Sequence, residues 1–202
     1  MKIGVVTFPG TLDDRDAARA VRLAGGEAVS LWHADTNLHK VDAVVLPGGF
    51  SYGDYLRSGA IAKLSPIMEE VIKHANRGGY VLGVCNGFQI LTEAGLVPGA
   101  LLRNQKGKFV SKNVHLVRAS GLSTMTAGLS ETGVYTIPIA HGEGRYHADE
   151  ETLKALNDKG QVMFRYAEAD GAITPEANPN GSARNIAGVF NATKNVLGHV
   201  AA

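Results

Sequence analysis

The feature that most limits how this chain can fold is a set of short apolar runs that recur between helical patterns. "KIGVVTF" (2–8), "EAVSLWH" (27–33), "VDAVVLPGG" (41–49) and "YVLGVC" (80–85) each read as a strand. Most of them show no strict polar alternation, which points to burial on both faces rather than one. "DDRDAARAVRLAGG" (13–26) lies between the first two, with Ala17, Val21 and Ala24 at helical spacing, acidic residues in its first turn and a glycine stop. "SPIMEEVIKHANRGG" (65–79) opens with a Ser cap and a Pro and ends on Gly, and "GFQILTEAG" (87–95) is a short helix behind the fourth strand. Strand and helix therefore alternate, which predicts an α/β fold: a flavodoxin-like, three-layer arrangement with a mostly parallel sheet and helices on both faces. Ligand chemistry in such sheets sits at the carboxyl ends of the strands.

The second half is less regular. "NVHLVRA" (113–119), "VYTIPIA" (134–140), "QVMFRYAEA" (161–169) and "IAGVFN" (186–191) read as strands, "DEETLKALNDKG" (149–160) as a helix, and "TPEANPNGS" (174–182) as a polar loop. "ATKN" turns into "VLGHV" near the end. With no repeat, low-complexity block or linker, residues 1–202 are expected to form a single domain.

Charge narrows the partners. Lys and Arg number 20 against 19 Asp and Glu, a formal net charge of +1, so no basic excess points to nucleic acid or to a membrane surface. The apolar N-terminal run is followed by "LDDRDAARA" rather than a cleavage site, and no run approaches the ~18 residues of a membrane span. The single cysteine fits a reducing compartment, so a cytoplasmic location is expected.

That cysteine, Cys85, stands at the junction of the fourth strand and the helix behind it, with Gly83 and Gly87 two positions away on either side. A lone cysteine in an apolar run is commonly a small core residue. Gly-Val-Cys-Asn-Gly at a strand-to-helix junction is also the pattern of a nucleophile elbow, in which a side chain at either glycine would obstruct the turn. On that reading the helix N-terminus favours the thiolate. "LPGGFSYGDY" (46–55), at the end of the third strand, would supply an oxyanion hole, with Gly48 beside it and the N–H groups of Asn86 and of Gly49 or Phe50 as donors.

"PGGFSYGDYLRSGAIA" (47–62), "VLGVCNGFQILTEAGLVPGALLRN" (81–104) and "IPIAHGEGRY" (137–146) together resemble the class I glutamine amidotransferases. Within that group they are most similar to the glutaminase subunits of phosphoribosylformylglycinamidine synthase, an enzyme of purine biosynthesis. The resemblance implies that Cys85 attacks the side-chain amide of L-glutamine and forms a γ-glutamyl thioester. It implies that ammonia passes to a separate synthetase subunit, where ATP and Mg are expected, and that a further small subunit can join the complex. No cofactor or metal is expected in this chain. Gln89 falls at the family's Cys-x-Gly-x-Gln position and is expected to line the glutamine pocket, and His141 and Gly142 match a segment near it.

A cysteine amidase also uses a histidine, which the resemblance places in a Pro-His-Pro-Glu segment after a strand like "NVLG". Here the residues are "NVLGHVAA"; by count the family's histidine falls near Ala202 and its glutamate past the last residue, so the C-terminal end is expected to be incomplete relative to the family. His199 lies about three residues early, roughly 10 Å along a strand and on the opposite face. His141 is the other candidate, although its position is not that of the family's base. Two readings stand beside the glutaminase: a catalytically impaired scaffold subunit of the same complex, and another cysteine-elbow hydrolase or chaperone of flavodoxin-like fold.

Overall fold

The computed structural model describes residues 1–201; Ala202, where the count places the family's histidine, lies outside them. The chain divides into two compact units, Met1–Leu96 and Val97–Ala202.

The first unit alternates as the apolar runs require. It contains β1 (Lys2–Thr7), α1 (Asp14–Leu23), β2 (Glu27–Trp32), β3 (Ala43–Leu46), α2 (Pro66–Asn76), β4 (Tyr80–Val84) and α3 (Asn86–Glu93). The four strands run parallel in the order β2-β1-β3-β4, with Val5 opposite Ser30 and Val45, and Leu46 opposite Gly83. Val6, Val44, Leu46 and Val81 are fully or almost fully buried. In α2 the residues Ile67, Met68, Val71 and Ala75 form the buried stripe, and Pro66 opens the helix where its missing N–H costs nothing. Ser65 stands at the cap position, yet its side chain makes no capping bond, contrary to the sequence expectation.

The second unit contains β5 (Ala100–Leu102), β6 (Val110–Arg118), β7 (Val134–His141), β8 (Arg145–His147), α4 (Glu150–Asp158), β9 (Val162–Ala167), β10 (Ile186–Phe190) and β11 (Val196–His199). Its larger sheet has the order β11-β10-β9-β6-β7, and its pairings are antiparallel, with Val110 opposite His141 and Gly188 opposite His199. The parallel pairings are thus those of the first unit. The five residues between β10 and β11 are too few for a crossover and suit a hairpin. Pro138 is accommodated because β7 is the last strand in the order. The β5–β8 pair was not expected from the sequence, since three residues on each side carry no period.

Candidate active site

The elbow at Cys85 is built by close backbone packing. Cys85 has φ 50 and ψ −107, a left-handed conformation that a residue with a β-carbon rarely adopts, and it is the residue from which α3 starts. The flanking glycines make this possible. A β-carbon on Gly87 would lie 1.9 Å from the Leu46 carbonyl oxygen, and one on Gly83 would lie 2.7 Å from the Gly87 carbonyl. The N-terminus of α3 is therefore pressed onto the ends of β3 and β4, which holds the turn in its strained form.

The 46–55 loop lies against this elbow. A β-carbon on Gly48 would meet Cys85 Cβ at 3.5 Å and Asp13 Oδ2 at 2.2 Å. The loop is tied to the turn after β1: the Leu12 and Asp13 N–H groups donate to the Gly48 carbonyl, and the Phe50 N–H donates to the Gly10 carbonyl at 2.9 Å. That last bond separates the two candidate oxyanion donors. Phe50 N–H is already engaged, whereas Gly49 N–H has no acceptor among the described residues and Gly49 itself sits at φ 134.

Asn86, almost fully buried, crosslinks the site: its Oδ1 accepts from the Ser51 N–H, and its Nδ2 donates to Gln89 Oε1 at 2.9 Å and to Asp54 Oδ1 at 3.5 Å. Gln89 is buried on the same helix face as Asn86, and Gly48 packs on the Cys85 β-carbon from the loop side.

The state of the sulfur differs from the sequence expectation. Burial pushes the Cys85 thiol up to about 11, and the Asp13 and Asp54 carboxylates push in the same direction, against the lowering effect of the Asn86 N–H. Desolvation and two nearby negative charges outweigh the Asn86 N–H and raise the proton affinity of the thiol. Neither aspartate was singled out in the sequence. "LDDRD" and "GDY" contain them, but only the fold brings both to the sulfur.

His141 and Gly142 belong to the second unit. Asn104 Nδ2 donates to the His141 carbonyl, its Oδ1 accepts from the Gly144 N–H, and Asn180 Nδ2 donates to the Gly144 carbonyl. These two asparagines brace the "HGEG" loop, and no motif in the sequence marked them. The His141 ring is buried against Gly144, both of its nitrogens lack hydrogen-bond partners among the described residues, and burial lowers its proton affinity. His199 packs edge-on to Phe164, and its Nδ1 accepts from the Ala201 N–H. Burial lowers its pKa to about 4, which makes it a poor proton acceptor near neutrality. Among the described residues no cluster of three or more His, Cys, Asp or Glu could hold a metal, and no helix is long and apolar enough to cross a membrane.

With this geometry in place, comparison with known proteins is decisive. The CobB/CobQ-like glutamine amidotransferase domain matches residues 1–201. "Phosphoribosylformylglycinamidine synthase subunit PurQ" of Synechocystis is 55% identical over 196 residues, which span 96% of this chain and 88% of that protein. The chain belongs to the PurQ family of glutamine amidotransferases. The subunit of the same name from Corynebacterium glutamicum is 54% identical over 197 residues, 98% of this chain and 84% of that one. Among solved structures, a chain of the "Structure of PurLQS from Thermotoga maritima" matches with a TM-score of 0.86 at 40% identity, covering 100% of this chain and 86% of that chain. Family membership removes the alternative of an unrelated cysteine-elbow hydrolase or chaperone.

Proposed function

We propose that this chain is the glutaminase subunit of a phosphoribosylformylglycinamidine synthase. The observation that carries the reading is Cys85, held in a left-handed elbow next to a Gly49 N–H with no acceptor among the described residues, in a chain of the PurQ family. The sulfur attacks the side-chain amide carbon of L-glutamine, and the Asn86 and Gly49 N–H groups receive the charge that develops on the amide oxygen. The carbon–nitrogen bond breaks, the nitrogen leaves as ammonia carrying the thiol proton, and a γ-glutamyl thioester remains. Water then cleaves the thioester to glutamate and restores the thiol.

Ammonia passes to an ATP-dependent synthetase subunit, which binds ATP and Mg and converts formylglycinamide ribonucleotide to formylglycinamidine ribonucleotide; a further small subunit completes the assembly. The raised proton affinity of Cys85 supports a resting thiol that ionises only as substrate displaces water and is attacked. Gln89, fixed by Asn86, shapes the wall against which the glutamine side chain lies.

The test combines this chain with its synthetase subunit. Product is expected from glutamine with the native chain, and from ammonium chloride but not glutamine with Cys85→Ala. Glutamine-dependent product from Cys85→Ala overturns the nucleophile. A native complex that uses ammonia but never glutamine overturns the glutaminase in favour of a scaffold subunit.

A further inference from the structure

The second half of the 46–55 loop carries more strain than its length requires. Tyr52, Gly53 and Asp54 are consecutive left-handed residues, with φ of 53, 65 and 55, and Leu56 follows at 72. Side chains with a β-carbon avoid this region, so such a run persists only where its surroundings hold it. Asn86 holds one side, through the Ser51 N–H and Asp54. The other side is held by the Tyr52 hydroxyl, 2.8 Å from His33 Nδ1 and 2.8 Å from Ser65 Oγ. The Tyr52 N–H donates to the Pro9 carbonyl, which ties the same residue to the turn after β1.

Both partners of that hydroxyl are fixed in place. The His33 N–H donates to the Thr7 carbonyl, and its own carbonyl accepts from Ile67, so the imidazole projects from backbone anchored on both sides. Ser65 is buried at the start of α2, where a serine hydroxyl ordinarily caps the helix; here it makes no such bond and meets Tyr52 instead. A capping group has been diverted to hold a tyrosine in a strained turn.

We propose that Tyr52 is a positioning residue for the glutaminase reaction, a latch whose hydroxyl, seated between His33 and Ser65, sets the backbone of residues 49–51 so that the Gly49 N–H stays available beside Cys85. The inference rests on the glutaminase reading. When the hydroxyl is lost, the turn relaxes, the Gly49 amide is misplaced, and the oxyanion loses a donor while glutamine itself still binds.

The experiment compares the native chain, Tyr52→Phe, His33→Ala and His33→Asn, each assayed with the synthetase subunit. Asparagine can place a hydrogen-bonding atom where Nδ1 stands. Five quantities are read: kcat and KM for glutamine hydrolysis, labelling of Cys85 by a glutamine-like diazoketone, alkylation of Cys85 by iodoacetamide, which needs no oxyanion hole, and the melting temperature. Tyr52→Phe and His33→Ala are expected to lower kcat and diazoketone labelling by roughly tenfold or more, with KM and iodoacetamide alkylation little changed. His33→Asn is expected to restore most of the loss. Native kcat in Tyr52→Phe overturns the latch, as does a parallel fall in iodoacetamide alkylation and melting temperature. If Tyr52→Phe does not fold, equal kcat values in His33→Ala and His33→Asn overturn it. Absence of diazoketone labelling in the native chain overturns the glutaminase reading instead.

Discussion

The Leu46 carbonyl oxygen occupies the place where a β-carbon on Gly87 would stand, 1.9 Å from that position. The contact sets how closely α3 approaches β3, and so fixes the angle at which the strand before Cys85 becomes a helix. Gly87→Ala is expected to push the helix away and to destabilise the chain by about 3 kcal/mol. Urea denaturation reads the loss. Loss of Cys85 labelling by the diazoketone should accompany it, and an unchanged urea midpoint would show that the backbone yields freely.

The carboxylates of Asp13 and Asp54 act on Cys85 with the same sign as its burial. Iodoacetamide alkylation should therefore climb by about tenfold per pH unit to an inflection near 11. Asp13→Asn removes one negative charge, favours the thiolate and shifts the inflection downward, so alkylation at pH 8 becomes faster. An inflection that stays in place would remove Asp13 from the electrostatics of the site.

Asn86 joins Ser51, Asp54 and Gln89 in one buried network. Asn86→Ala leaves the Ser51 N–H and the Gln89 oxygen without those bonds, at a cost of about 2 kcal/mol. Glutamine turnover should fall by a larger factor than stability alone explains, because the 46–55 loop loses its tie to α3. Asn86→Asp keeps an acceptor for Ser51 but places a carboxylate near Asp54 and Gln89, so thermal melts should show only partial recovery.

His199 gives the second unit an acid-sensitive element. Its folded pKa of about 4 lies below the usual 6.5, so the unfolded chain binds the proton more readily. The corresponding stability is present above pH 6.5 and is lost as pH falls toward 4. His74 and His141, both lowered by burial, contribute with the same sign. His199→Leu should flatten part of the acid limb of a plot of urea midpoint against pH, and an unaltered slope would assign the acid sensitivity to other groups, such as His74, His141 and the Glu93 carboxylate.

The sequence by itself determined the parallel α/β order of the first unit and the elbow at Cys85. Both follow from local rules: continuous apolar runs must be covered on both faces, and a left-handed cysteine between a strand and a helix needs glycines where Gly83 and Gly87 stand. It also carried the family, because the motifs around Cys85 are contiguous in the chain. Only the tertiary structure decided which amide near the sulfur is unengaged, since Phe50 is taken by the Gly10 carbonyl, a residue distant along the chain. Only the tertiary structure decided that burial, with Asp13 and Asp54 reaching the site from separate loops, pushes the Cys85 thiol up, because desolvation and electrostatic energy depend on surroundings in space. Ser65 shows the same division. Its place at the start of α2 was legible from its neighbours, but the partner of its hydroxyl, Tyr52, was fixed by the fold.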